Sequence, residues 1–464
     1  MEARLMVGPP LDDFGLNLTK SVVRHALRTR AVSALGRSIL AMRRNAFSLR
    51  STQAVAEFAL EETVRAFNGK APTAWTSAFA PSELLRGMGL TLFSPEAASA
   101  VLSAFGLATQ MLGVAEAHGH SRDTCTFHRA AMGAHIEGIF PRPDLLVAAS
   151  HLCDGAPRLF CSIREVMAHR EEDGPHRKAG GKDRKAEGNG ADSGSPVDAP
   201  PSYPPFYLLD IPWGDTGRDA VRYVASQLES LFHDLAQRFR LPGDLERVKE
   251  AIRLSNEARK WAVAANELKR LSPCPVTARE VADYVYVLFI GFGSEEAVRI
   301  YRTLYEEASA RAHRSGGQGV EERCRILWLH LRPFYAGRLW TYMEETLGAR
   351  IVFDEFSNIY WDELDPDKPF ESLAVKALSH PGHGPIERRA RTVLRLAEEY
   401  HVDGVIHFSH WGCRQSSGGA LMIKDYLKEH GVPMLILDGD CIDRRNYAEG
   451  QAMTRLEGFV EMLA

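Results

Sequence analysis

Seven cysteines are spread along this 464-residue chain, at positions 125, 153, 161, 274, 324, 413 and 441. Three of them sit where a fold could put chemistry. Cys413 ends the run Val405-Ile406-His407-Phe408-Ser409-His410-Trp411-Gly412-Cys413, which reads as a buried strand passing into a polar turn. Cys153 follows the short apolar run Asp144-Leu145-Leu146-Val147-Ala148-Ala149-Ser150 in the same way. Cys125 closes the loop Ser121-Arg122-Asp123-Thr124-Cys125 after a helical pattern over about 95–117. In an open parallel α/β sheet, loops after the strand C-termini line the ligand crevice. Each thiol also has a histidine nearby in sequence: Cys125 with His128, Cys153 with His151, Cys413 with His410.

Spacing alone leaves three readings of these thiols open. They are buried structural cysteines, or three soft ligands for an iron–sulfur cluster with one iron left open to water or substrate, or part of a mixed Cys/His zinc site in an interaction protein. No two cysteines have the C-x2–4-C spacing usual in structural zinc motifs. Beside Cys413, His410 suits either a proton shuttle or a hydrogen bond to the cysteine loop, and His407 and Trp411 flank it. Arg414 suits an anion or the thiolate charge. Ser416, Ser417 and the two glycines after them open a helix, whose free N–H groups can hold a carbonyl oxygen or serve as an ordinary cap. Cys161, Cys274 and Cys324 read as structural. Cys441, after Asp440 at a strand end, is the remaining cysteine expected near the crevice.

The elements that must position these residues follow from periodicity. Strands are expected at 144–150, 206–212, 325–330, 350–353, 404–408 and 433–437. Helices are expected at 337–347, 386–400, 418–430 and 447–463. Strands alternating with helices indicate βαβ units and parallel sheets. The expected organisation is a helical N-terminal region over 1–105, a first α/β domain over 106–235, a helical segment over 236–318 and a doubly wound α/β domain over 319–464. The fold class is therefore α/β, with two Rossmann-like parallel-sheet domains. Residues 169–205 are charged, Gly-rich and nearly free of bulky apolar side chains, so they read as a disordered insertion. The arginines between 24 and 50 suggest a solvated helix face over about 18–70 more than a transit peptide, since Asp12, Asp13, Glu57, Glu61 and Glu62 interrupt the pattern. Gly291-Phe292-Gly293-Ser294 has no lysine and is too short for a phosphate loop.

Composition narrows the class further. A net charge of -4 gives no basic footprint for nucleic acid. No apolar run approaches the ~18 residues that a membrane span needs, and the first residues form no signal-peptide h-region. A reducing cytoplasm is the expected setting, where cysteines bind metal or react more often than they pair.

Several stretches, in this order, resemble one family. They are Ala80-Pro81-Ser82-Glu83-Leu84-Leu85-Arg86-Gly87-Met88-Gly89-Leu90; Asp123-Thr124-Cys125 with Arg129 and Gly133; Cys153-Asp154; Leu209-Asp210-Ile211-Pro212; Asn256-Glu257-Ala258-Arg259; and Cys413-Arg414 followed by Asp440, Asp443, Arg444 and Thr454-Arg455-Leu456-Glu457-Gly458-Phe459. The chain is similar to subunits of the 2-hydroxyacyl-CoA dehydratases, which share their fold with ATP-dependent benzoyl-CoA reductases. That resemblance implies one [4Fe-4S] cluster held by Cys125, Cys153 and Cys413. It implies a second homologous subunit or a homodimer, an ATP-dependent activator that injects one electron, and an acyl-CoA substrate. In the dehydratases the thioester passes through a ketyl radical as water is eliminated; in the reductases an aromatic ring is reduced. An electron-relay subunit without substrate is the further alternative. A flavin such as FMN stays open as an additional cofactor, though no residue supports it. The 169–205 insertion, the Trp411-Gly412 approach and the Gly439-Asp440-Cys441 turn depart from the family pattern and suggest a divergent branch.

Overall fold

The structure, a computed structural model, describes residues 49–172, 203–314, 322–335 and 338–463. The Arg-rich stretch before residue 49 and all but the ends of the 169–205 insertion lie outside these residues.

Among the described residues, eight strands form two parallel sheets. The first contains β1 (Thr73–Thr76), β2 (Thr91–Phe93), β3 (Leu145–Ala149) and β4 (Phe206–Leu209), in the order β2-β1-β3-β4. The second contains β5 (Cys324–Leu329), β6 (Ala349–Asp354), β7 (Gly404–His410) and β8 (Met434–Gly439), in the order β6-β5-β7-β8. All neighbours run parallel; Trp75 stands opposite Leu146 in one sheet and Trp328 opposite Ile406 in the other. β1, β3 and β5 are buried along their whole length. That explains their continuous apolar runs, since helices cover both faces of such sheets. Strand order reverses at β1/β3 in the first sheet and at β5/β7 in the second. Each reversal opens a crevice beyond the strand C-termini.

The α/β class and paired parallel sheets match the sequence reading. One difference concerns the first hundred residues, expected to be helical. Helices do occupy 50–68, 82–87 and 95–104, but β1 and β2 lie between them. These strands are four and three residues long and wholly buried, too short for the alternation that marks a strand. The helix expected over 418–430 is present as Ala420–Glu429, preceded by a short extra turn at Arg414–Ser417.

The two sheets share one apolar core, which takes in Leu145 and Val147 of β3, Ile252 of the helix Leu245–Leu268, Leu327 of β5 and Val405 of β7. Within it, Glu83 of the helix Ser82–Gly87 accepts a hydrogen bond from Ser255 Oγ (2.8 Å) and pairs with Lys376 of the helix Pro369–Leu378. The Lys376 ammonium also lies 4.2 Å from the centre of the Trp361 ring. Burial opposes ionisation of Glu83, but Lys376 and the hydrogen bonds outweigh it and hold the carboxyl below its ordinary range.

Candidate active site

Cys153 and Cys413 occupy matching places in the two sheets. Each lies just beyond the third strand in sequence, three or four residues past β3 or β7, and directly at the strand-order reversal. Cys125 is the N-cap of the helix Thr126–Ile136. All three half-buried thiols lie on the wall of one cavity of about 840 Å³. The sequence brings them together partly through glycine. Gly412 has φ +76, and a Cβ there would stand 2.9 Å from the Cys125 backbone N and 3.0 Å from its Cα. At Gly155 a Cβ would stand 2.6 Å from two ring atoms of His128. Any side chain at either position would push one cysteine loop off its neighbour.

Each thiol faces a histidine, but not the one beside it in sequence. Cys125 Sγ lies 3.5 Å from His410 Nε2, and Cys413 Sγ lies 3.7 Å from His330 Nε2. Cys153 bonds His128, whose Nε2 is 3.1 Å from Glu96 Oε1. His410 Nδ1 accepts the backbone N–H of Cys441 at 3.0 Å. Its neutral ring therefore carries the proton on Nε2 and donates it to the Cys125 sulfur. Burial lowers the pKa of His410, so that neutral form is favoured. Burial also opposes charge on His128, but the Cys153 thiolate and Glu96 outweigh it and raise its pKa to about 10. His330 is buried among His410, His407 and Arg389; burial first and these neighbours next hold it far below its ordinary value. Its Nδ1 is buried without a hydrogen-bond partner among the described residues.

A buried polar layer supports the thiols. Arg389 makes two bonds to Glu355 (2.6 and 2.7 Å) and one to the Ser416 carbonyl (3.2 Å), and Glu355 accepts the His330 N–H at 3.1 Å. Asp440, fully buried, accepts Thr126 Oγ1 at 2.6 Å and the N–H groups of Ile442 and Asp443. Asp440 thus ties the start of the Cys125 helix to the turn after β8. Burial and the charges of Cys413 and Cys153 raise the Cys125 thiol well above its usual range, while the N–H groups of Phe127 and His128 pull the other way. Burial raises Cys413 to about 11. Thiolates crowded in this way need a positive partner.

Of the residues singled out from sequence, Cys125, Cys153, Cys413 and His410 converge on the cavity. Ser416 and Ser417 are not among the residues that line it. Ser416 is fully buried with Oγ 3.0 Å from His407 Nε2, and Ser417 donates its hydroxyl to the His410 carbonyl at 3.2 Å. Arg414 is exposed and pairs with Asp154, joining the loop after β7 to the loop after β3. Cys161 is exposed on its helix, and Cys274 and Cys324 are buried. Cys441 is buried next to Cys413 and Cys125 without lining the cavity. Residues the sequence reading missed are His330, Glu96, Glu355, Arg389 and Gln415. His330 carried one local signal: it directly follows β5 at the strand-order reversal, where its φ is +67.

Among the described residues, no three His, Cys, Asp or Glu side chains close on a single ion. A zinc site needs that convergence. A cluster places each thiolate on a separate iron, so thiols spread over one cavity wall suit it. The donor set of soft sulfurs, each facing an imidazole, fits an iron–sulfur cluster.

The comparisons with known proteins agree with this geometry. The family model described as 2-hydroxyglutaryl-CoA dehydratase, D-component, matches residues 77–171 and 201–463. Among curated relatives, the (R)-phenyllactyl-CoA dehydratase alpha subunit of Clostridium sporogenes is 22% identical over 404 residues, covering 84% of this chain and 89% of that one. The lactoyl-CoA dehydratase subunit alpha of Anaerotignum propionicum is 21% identical, covering 84% and 90%. A benzoyl-CoA reductase subunit of Thauera aromatica is 23% identical, covering 76% and 79%. With the family match running through both sheets and all three cysteine loops, the chain belongs to the 2-hydroxyglutaryl-CoA dehydratase D-component family and is an enzyme subunit.

Proposed function

We propose that the chain is the cluster-bearing, substrate-binding subunit of a 2-hydroxyacyl-CoA dehydratase. The overall reaction removes water across C2 and C3 of a 2-hydroxyacyl thioester. One electron supplied by an ATP-dependent activator is used and returned. The observation that carries the reading is the convergence of Cys125, Cys153 and Cys413 on one cavity large enough for an acyl group. When bound, a [4Fe-4S] cluster supplies an iron open to substrate oxygen and a one-electron relay.

The chain's own residues have separable tasks. The three thiolates hold the cluster. His410 keeps its Nε2 proton on the Cys125 sulfur, which orients that thiolate; its other nitrogen is occupied by the Cys441 N–H, so orientation fits it better than proton shuttling. His128 holds positive charge beside Cys153, and Glu96 fixes that ring. Phe79, Phe127, Phe289 and Phe356 on the cavity wall would keep water from a thioester carbonyl placed at the thiols. Gln415, the lining residue two positions past Cys413, offers an amide to the substrate oxygens. A second homologous subunit and the activator complete the proposed assembly, and a reducing cytoplasm suits it. No described helix is long and apolar enough to cross a membrane. A benzoyl-CoA reductase-type subunit is the second reading, favoured by the likeness to the Thauera aromatica reductase chain.

The test is anaerobic purification with iron and sulfide analysis, followed by EPR with and without a 2-hydroxyacyl-CoA. The expected result is a coloured protein containing iron and sulfide in equal amounts, with a spectrum that changes on adding thioester. Stoichiometric zinc without sulfide, or a spectrum indifferent to every thioester, overturns the proposal. Product analysis with the activator separates the two readings: an enoyl thioester marks the dehydratase, a dearomatised ring the reductase.

A further inference from the structure

The cavity beside the thiols has a definite chemical character. A chain of aromatic rings runs along one wall: Phe79 meets Phe289 (5.6 Å between ring centres), Phe289 meets Phe356 (5.8 Å, interplanar 90°), and Phe356 meets His330 (6.1 Å), while His151 of the Cys153 loop packs behind Phe79 (5.8 Å) without lining the cavity. This belt starts next to the Cys153 loop and ends on the histidine that faces Cys413. On another side Phe127 packs against both His410 and Phe334 (5.3 and 6.0 Å). The thiols thus lie among rings whose edges and faces offer the offset and edge-on contacts that aromatic pairs prefer. Small residues, Ala59 and Ala97 among them, line the cavity and leave it wide.

The charged groups on the lining are all engaged with one another. Glu96 pairs with His128 (3.1 Å), Asp283 with Arg332 (2.9 Å) and Glu355 with Arg389 (2.6 Å). Arg332 keeps a buried Nε without a hydrogen-bond partner, but its charge, like that of Arg389, is already matched by a carboxylate, so among the described lining residues a second carboxylate finds no unmatched arginine. A dicarboxylic acyl group would bring an uncompensated charge out of water. A methyl side group would reach few of the ring contacts that the belt offers. Val101 and Phe105, exposed by 49% and 70%, mark the mouth of the cavity, where the coenzyme portion would remain outside.

We propose that the acyl group this subunit accepts is aromatic or bulky and apolar, with the ring seated on the Phe79–Phe289–Phe356 belt and the thioester end at the thiols. This rests on the acyl-CoA reading above and deepens it.

The test is calorimetric binding to the anaerobically purified full-length chain. The probes are 3-phenyl-2-hydroxypropanoyl-CoA, lactoyl-CoA, 2-hydroxyglutaryl-CoA and free coenzyme A. The expected result is that the phenyl thioester binds on the order of 100-fold more tightly than the lactoyl one, the difference an apolar pocket gives for a large missing side group. A similar margin is expected over the hydroxyglutaryl thioester. Filling the cavity by Ala59→Phe, or independently by Ala97→Leu, should weaken phenyl thioester binding at least tenfold and leave lactoyl-CoA little changed, with circular dichroism confirming the fold. Equal or tighter binding of lactoyl-CoA or 2-hydroxyglutaryl-CoA overturns the substrate class while the acyl-CoA reading stands. If no thioester binds better than free coenzyme A, both fall together.

Discussion

Replacing Cys125, Cys153 or Cys413 by alanine removes one sulfur from the cavity wall, and each variant is expected to lose most of its iron in a colorimetric assay. Cys274→Ala, whose thiol is buried and donates to the Val276 carbonyl at 3.2 Å, should keep it. Gly412→Ala tests the same site through the backbone. Its positive φ disfavours a side chain by about 1–2 kcal/mol, and the added carbon would press on the Cys125 backbone. Partial iron loss with a modest fall in thermal stability is the expected outcome. At this scale the sequence revealed the thiols, because strand-to-turn transitions can be read locally. The histidines nearest in sequence are not the ones the thiols face. Cys125 finds His410 from 285 positions away, and Cys413 finds His330 from 83. Such pairings depend on which strands become neighbours, and strand order is not written in any local window.

The helix Ser82–Gly87 is held by buried Leu84 and Leu85 and by the pairing of Glu83 with Lys376. Lys376→Met leaves the Glu83 carboxylate buried without a counter-ion and should cost about 3–5 kcal/mol in urea denaturation at neutral pH. The double variant with Glu83→Gln should cost less than the single one. Because the folded chain holds Glu83 below its ordinary value of 4.5, its stabilising share is complete above that pH. It is lost as pH falls through the lower folded value. Glu83→Gln should therefore flatten the acid limb of the stability profile. Most elements were legible where apolar runs were long, as at β3, β5, β7 and the helix Ile386–Glu399. The seven residues of β1 and β2 were not: their identity as strands comes from pairing with β3 and with each other.

At the scale of the molecule, the site is held by both sheets. Cys125 and Cys153 belong to the first unit and Cys413 to the second, so a group bound by all three links the two. Removing iron with a chelator should lower the melting temperature of the whole chain in a single transition, because binding energy at such a site is folding energy. The ion pair between Arg414 and Asp154 spans the same two loops, but its side chains are 66% and 55% exposed. Asp154→Asn should therefore change stability by less than about 1 kcal/mol. The near-duplication of the two units in sequence implies one cleft between the sheets, and the loops after β3 and β7, at the two strand-order reversals, do line a single cavity.

The two units also repeat one plan, and the place where the repetition breaks has a consequence for the site's valence. In each, the last helix before the third strand contributes to the cavity wall: Thr126–Ile136 before β3 through its first turn, Ile386–Glu399 before β7 through Arg389, Thr392, Val393 and Leu396. The residue capping the first is Cys125, and the residue capping the second is Pro385. Pro385 brings no sulfur and does not line the cavity, so on the proposed function three thiolates would hold the cluster and one iron would be left to a substrate oxygen.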